Sequence, residues 1–369
     1  MLALALAGAL VSASGRAERQ ASVTTKPTFA ELIAKLSEPG GDFGGDNLIS
    51  NEQSYLRVLP ALARAGVSGG AYIGVGPDQN LSYIAQVKPA IAFIIDIRRD
   101  NLLLQLLFKA ILSVSPTRIE YLCALTGRAP PAHAETWTDA SIDKIAAYVD
   151  ATPAMGSAEQ RLLSIKLDTA MKAAGMGFYL FAADLTRIHE FHNTFIESGL
   201  ALIFQARGRP PSFYYPSLKT LLLETDGAGR RASFLAMESG YQFVRSLEAR
   251  DLIVPVVGDV SGSRAMPAIA AEMTARNTPL SAFYISNVEQ YLYQDGRFPA
   301  FVANLNRLPR NERSTMIRSV FPSGYRGVLP QSTGDSYSAS LTQGLDVMLK
   351  DIAAGRYRNY ADLVIASSR

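Results

Sequence analysis

The chain has 369 residues, 48% of them hydrophobic and 19% charged, enough to bury a large core and too apolar for a disordered protein or a short disulfide-stapled module. Its formal net charge is +3, from 36 basic and 33 acidic residues spread along the chain, so no electrostatic footprint for nucleic acid is present. Cys123 is the single cysteine, which excludes an intrachain disulfide and a cysteine-built zinc site.

The opening residues MLALALAGALVSAS carry no charged side chain and form an apolar run from Leu2 to Val11, followed by small residues around Ala13 and Ser14. That run is too short to span a bilayer, and residues 1–20 read as a signal peptide, atypical in lacking a basic residue ahead of the apolar run. With cleavage near Ser14 the chain is exported, to the periplasm or outside the cell; otherwise it is cytoplasmic. Residues 21–369 read as one α/β domain. No later segment reaches membrane-spanning length, since Gln105 and Lys109 turn Leu102 to Val114 into an amphipathic helix.

Phe29, Leu32, Ile33 and Leu36 predict a first helix, closed by Pro39-Gly40-Gly41. The glycine-rich loop that follows carries Asp46, Asn47, Ser50, Asn51 and Glu52, a polar cluster that is either a lid over the first strand or the cap of the next helix. That helix runs through Tyr55, Leu56, Leu59 and Leu62 and stops at Gly66. Ala71-Tyr72-Ile73 is a short apolar strand ending in Gly74-Val75-Gly76, and Pro77-Asp78-Gln79-Asn80 opens a helix through Ile84. Ile91 to Ile95 is a continuous apolar run, the pattern of a parallel strand buried on both faces, and it ends in Asp96.

Strand, glycine turn, helix, strand and acid is the order of a nucleotide-binding βαβ unit. Asp96 lies twenty residues after Gly76, where an acid accepts the ribose hydroxyls of a cofactor lying over the first turn. A strand-end acid facing such a crevice is expected to support little of the core. Arg98 and Arg99 follow it; either one binds an anionic group or one pairs with Asp96.

After a helix over 99 to 113 the alternation breaks, and residues 117–232 read as a helical insertion over one side of the sheet, with turns at Pro130-Pro131 and Pro210-Pro211. The alternation returns with a helix over 233 to 249, a strand through Ile253 ending in Gly258-Asp259, a helix over 264 to 275, and a strand at Ala282 to Ile285 ending in Ser286-Asn287. A helix over 297 to 308, a strand at Met316 to Phe321, a helix over 341 to 354 and an apolar segment at Leu363 to Ala366 complete the pattern.

These segments resemble class I S-adenosylmethionine-dependent methyltransferases. YIGVGPDQNLSYIA, FIIDIRRDN and YISNVEQYL are more closely similar to an uncharacterised bacterial family with that fold. The resemblance covers residues 28 to 325 and implies an α/β three-layer sandwich with a mostly parallel, Rossmann-like sheet. It implies S-adenosylmethionine as cofactor, a small molecule in the sheet crevice, and Gly74, Gly76, Asn80, Asp96 and Asp259 as cofactor-binding residues. Asn287 and Glu289 are the expected catalytic residues, orienting the acceptor, although Glu289 and Tyr291 equally fit a packing role. Two positions depart from the family pattern: Tyr72 stands where the turn usually has an acid, and Asp78 where it usually has a third glycine. The alternative reading is an exported, noncatalytic small-molecule-binding protein on the same fold.

Other motifs are weaker. RIHEFHN spaces His189 and His192 three apart, which is not the zinc-protease spacing, and GDVSG displaces Ser261 by one from a hydrolase elbow.

Overall fold

The computed structural model describes residues 27–45, 47–176, 179–205, 214–321 and 338–368. The leader at 1–20, Asp46 and the Pro210-Pro211 turn lie outside these described residues.

Helix α1 (Phe29–Leu36) opens with a capping box in which Thr28 and Glu31 satisfy each other's backbone amides, and it buries the four apolar residues that predict it. A 3-10 turn (Tyr55–Val58) leads into α2 (Leu59–Arg64). Then come β1 (Ala71–Val75), α3 (Gln79–Val87), β2 (Ile91–Asp96) and α4 (Arg99–Val114). The expected insertion holds α5 (Arg118–Thr126), α6 (Ile142–Ala151), α7 (Ser157–Ala173), α8 (Ala182–Ser198) and α9 (Leu218–Leu222). The remainder is α10 (Glu238–Glu248), β3 (Ile253–Val257), α11 (Ala265–Ala275), β4 (Leu280–Ser286), α12 (Val288–Gln294), α13 (Phe298–Arg307), β5 (Arg310–Val320), β6 (Ala339–Gly344), α14 (Leu345–Ala353) and α15 (Tyr360–Ser367).

The strands form one sheet in the order β3-β2-β1-β4-β5-β6, parallel throughout except for β6, which runs antiparallel to β5. From β1 the chain moves outward through β2 to β3, then returns to the other side of β1 for β4. The carboxyl ends of β1 and β4 therefore flank the point where the order reverses, where an open α/β sheet leaves a crevice. β1 and β3 are buried along their whole length, as strands covered on both faces must be. Helix α10 packs on both α3 and α4, and α1 packs on α11, which packs on α13; these two groups are compatible with three layers. Pro255 stands in register with Ile94, but β3 is an edge strand, where a missing ladder donor is tolerated.

Several local expectations change. Residues 341–344 belong to β6, not to the following helix, because Leu341 pairs with Arg318 on β5; in the sequence only Leu341 marks the alternation. Residues after Asn287 turn into α12, and Leu363 to Ala366 lie in α15, whose start is capped by Asn359 accepting from the Asp362 amide. Neither Ser50 nor Asn51 caps the turn at Tyr55, which starts from Ser54 in a left-handed conformation. No helix among the described residues is long and apolar enough to cross a membrane.

Candidate functional site

At the end of β1, Gly76 takes φ +84°, a conformation that favours glycine and turns the chain into α3. Asn80 locks that turn. Its amide nitrogen donates to the carbonyls of Val75, Gly76 and Pro77 at 3.0, 3.1 and 2.9 Å, and its oxygen accepts the Tyr72 hydroxyl at 2.8 Å. Gly74 exists to seat this amide, since a Cβ there would stand 1.9 Å from Asn80 Oδ1. Gly74 and Asn80, expected to bind a cofactor, are thus spent on holding the turn, and neither borders the cavity beside it.

That cavity, of about 270 Å³, opens at the carboxyl ends of the strands. Gly76, Asp96, Asp259 and Asn287 all border it, so the ends of four strands that are far apart in sequence meet at one site. Asp96 does not stand free: Arg98 grips both of its oxygens and also reaches the Gly45 carbonyl, tying the glycine-rich loop to the end of β2. Arg99 pairs instead with Asp184 on α8, which fastens the insertion to the start of α4. Asp259 accepts from the Ser261 amide and hydroxyl, each at 2.8 Å, and from Arg297. Burial pulls the Asp259 pKa upward, but these partners outweigh it and hold the carboxyl below its ordinary range.

At the end of β4, Ser286 adopts φ +56°, a left-handed conformation that is costly for a residue with a side chain, and its hydroxyl donates to Glu52. Tyr284 and Ser319 donate to the same carboxylate, and Tyr284 in turn accepts from Gln79 at 3.0 Å. Burial pushes the Glu52 carboxyl upward in pKa, and the three hydroxyl bonds only partly oppose it. Glu52 is 1% exposed and forms part of the cavity floor. Of the polar cluster, Asn47, Ser50 and Asn51 border the cavity too, so the loop lies over the strand ends. At the mouth, Phe43 of this loop meets Tyr291 of α12 edge to face, ring centroids 5.2 Å apart.

Glu289 needs correction. It is absent from the cavity wall, wholly buried, and paired with the equally buried Arg318 at 2.6 Å; its role is to hold α12 against β5. Asp78 is also off the wall: it borders a separate small void with Phe108 and Tyr121, and burial pushes its carboxyl up to about 6. The remaining motifs resolve locally. His189 bonds Asp168 at 2.8 Å, His192 bonds the Ala124 carbonyl, and the Ser261 hydroxyl serves Asp259.

A protein-family profile, described as a domain of unknown function, DUF7790, matches residues 48–173 and 215–366, most of the chain. The chain belongs to the DUF7790 family. No curated protein matches it. The DUF7790 match contains Glu52, Gly76, Asp96, Asp259 and Asn287, whereas Phe43 and the wall residue Phe204 fall outside it. The strand-end groups thus lie inside the family domain, and part of the rim is built from segments the profile does not match. DUF7790 names no reaction.

Proposed function

We propose that this DUF7790 protein is a Rossmann-like, S-adenosylmethionine-binding protein of the methyltransferase type, with its ligand at the reversal point between β1 and β4. The observation that carries this reading is the charge of the cavity. Among the described residues its wall holds the carboxyl groups of Asp42, Glu52, Asp96, Asp259 and Asp295 against the guanidiniums of Arg98 and Arg297. A pyrophosphate-bearing dinucleotide would meet like charge there, whereas a sulfonium cofactor meets opposite charge.

The residues present fit such a group. Gln79 is 4% exposed, borders the cavity beside the Gly76 turn, and leaves its carbonyl oxygen without a partner, an acceptor waiting for a donor. Of about four acceptor positions on Asp96, the amide and guanidinium of Arg98 fill three, which leaves one on Oδ2 to accept a ribose hydroxyl. Asp259 stands at the neighbouring strand end to accept from an adenine amine. When bound, S-adenosylmethionine supplies an electrophilic methyl group. The chain's own contribution is alignment, with Asn287 at the end of β4 orienting the acceptor, and exclusion of water under the Phe43 loop.

A second reading is a noncatalytic binder of another small molecule, and the Arg98 grip on Asp96 favours it, because the ribose acid is already occupied. Calorimetry with S-adenosylmethionine and S-adenosylhomocysteine separates the two. Binding by wild type, weakened about tenfold or more in Asp96→Asn, is the outcome expected for the cofactor reading. No binding by folded wild type at millimolar ligand would leave the second reading in its place.

A further inference from the structure

The cavity is divided chemically. Gly76, Asp96 and Asp259 come from the ends of β1, β2 and β3, while Glu52 is held by hydroxyls from β4 and β5, on the other side of the reversal. Each acid on the first side has a cation: Arg98 on Asp96 and Arg297 on Asp259. Glu52 has none; among the described residues its side chain bonds only hydroxyls. A buried carboxylate is expensive to desolvate, so it is either matched by a positive charge or driven towards its protonated form, the direction in which burial pushes Glu52; a bound cation would recover the charged form. The carboxylate offers about four acceptor positions, and three are filled by Tyr284, Ser286 and Ser319, so one remains. Asp295 at the rim is exposed and adds negative potential along the way in. The exposed rings of Phe43 and Tyr291 at the mouth suit the passage of a cation better than that of an anion.

We propose that Glu52 is the anchor for a protonated amine on a second ligand of this cavity, distinct from the cofactor and seated on the β4–β5 side. This deepens the reading above by naming the chemical class of the acceptor, and it rests on the cavity being a ligand site. The hydroxyl cradle fixes the carboxylate in one orientation before the ligand arrives, so little ordering is left to accompany binding. Ser286 pays a left-handed backbone to aim its hydroxyl at this carboxylate, which is where strain is tolerated when the surrounding structure demands it.

Methylammonium, butylammonium and benzylammonium, each compared with its matched alcohol, test the anchor by ligand-observed magnetic resonance at millimolar concentration. Wild type is expected to prefer at least one ammonium over its alcohol by about tenfold, and Glu52→Gln, checked by thermal melting to be folded, to lose that preference. S-adenosylhomocysteine should leave ammonium binding unchanged. Equal affinity within all three pairs, no binding of any, a folded Glu52→Gln that keeps the preference, or competition by S-adenosylhomocysteine would each overturn the proposal. Because ammonium binding is read separately from cofactor binding, a protein that takes the amine but not S-adenosylmethionine would keep Glu52 in this role and remove the methyltransferase reading.

Discussion

The guanidinium of Arg98 lies flat against the carboxylate of Asp96, Nε 3.0 Å from Oδ1 and Nη2 2.8 Å from Oδ2, while Nη1 reaches the Gly45 carbonyl at 2.9 Å. Arg98 is 6% exposed, so Asp96→Ala would strand a buried charge, and the folded state is expected to lose about 3 kcal/mol in urea denaturation. The sequence suggests the opposite, a strand-end acid of small consequence for stability. Asp96→Asn keeps one acceptor for the guanidinium and should cost less than half as much. Equal stability of wild type and Asp96→Ala would mean that the loop frees Arg98 to reach water.

Gly74 and Gly76 should differ in an order that their conformations alone do not suggest. A Cβ at Gly76 meets only the Gln79 amide nitrogen at 3.5 Å, so Gly76→Ala is charged mainly for its positive φ, about 1–2 kcal/mol. Gly74→Ala drives a methyl into Asn80 and Tyr72 and unseats the amide that satisfies three carbonyls, at about 3 kcal/mol or more. Melting temperatures of the two variants decide the order, and a more stable Gly74→Ala would contradict the seating role.

Removing one partner of the buried Glu289 and Arg318 pair should be severe, about 3–5 kcal/mol for Glu289→Ala, because Arg318 would remain wholly buried with its charge uncompensated. Replacing both with leucine and methionine should recover most of the loss. A Glu289→Ala protein that folds with wild-type stability, or a double variant no better than the single one, would argue against a structural pair.

Asp78 predicts a slope in pH. Its carboxyl is raised to about 6 by burial, against an ordinary 3.8, so the folded state binds this proton more tightly than the unfolded chain. The associated stability is fully present below about pH 4 and is lost as pH rises through about 6. Asp78→Asn lacks the titration, so wild type should lose stability relative to the variant between those values and then level off. Denaturation of both proteins across that window gives the difference directly, and the raised Glu248, common to both, cancels. A constant difference would place the carboxyl at its ordinary pKa.

Local chemistry made much of the architecture readable. The apolar runs at Ala71 to Val75, Ile91 to Ile95 and Ile253 to Val257 are too continuous for surface strands, and they become the parallel strands β1, β2 and β3. Strand-end residues were legible for a related reason: in a parallel sheet every strand points its carboxyl end the same way, so Gly76, Asp96, Asp259 and Asn287 had to reach one edge. β6 was not legible, because its pairing with β5 comes from register across the sheet rather than from any alternation strong enough to outweigh a helical pattern.

What the sequence could not decide is which polar groups face the cavity and which are consumed by neighbours. Asn80 and Gly74 look like ligand residues until Tyr72 and three carbonyls claim the amide, and Glu289 looks catalytic until Arg318 arrives from β5. Glu52 is the reverse case. In sequence it is one acid in a polar loop, with nothing nearby to mark it as buried; its hydroxyl partners stand 232, 234 and 267 residues further along the chain. Patterning follows from contacts between near neighbours, but the state of a carboxylate is set by the dielectric and the donors around it, and those are assembled only when β4 and β5 close beside the loop.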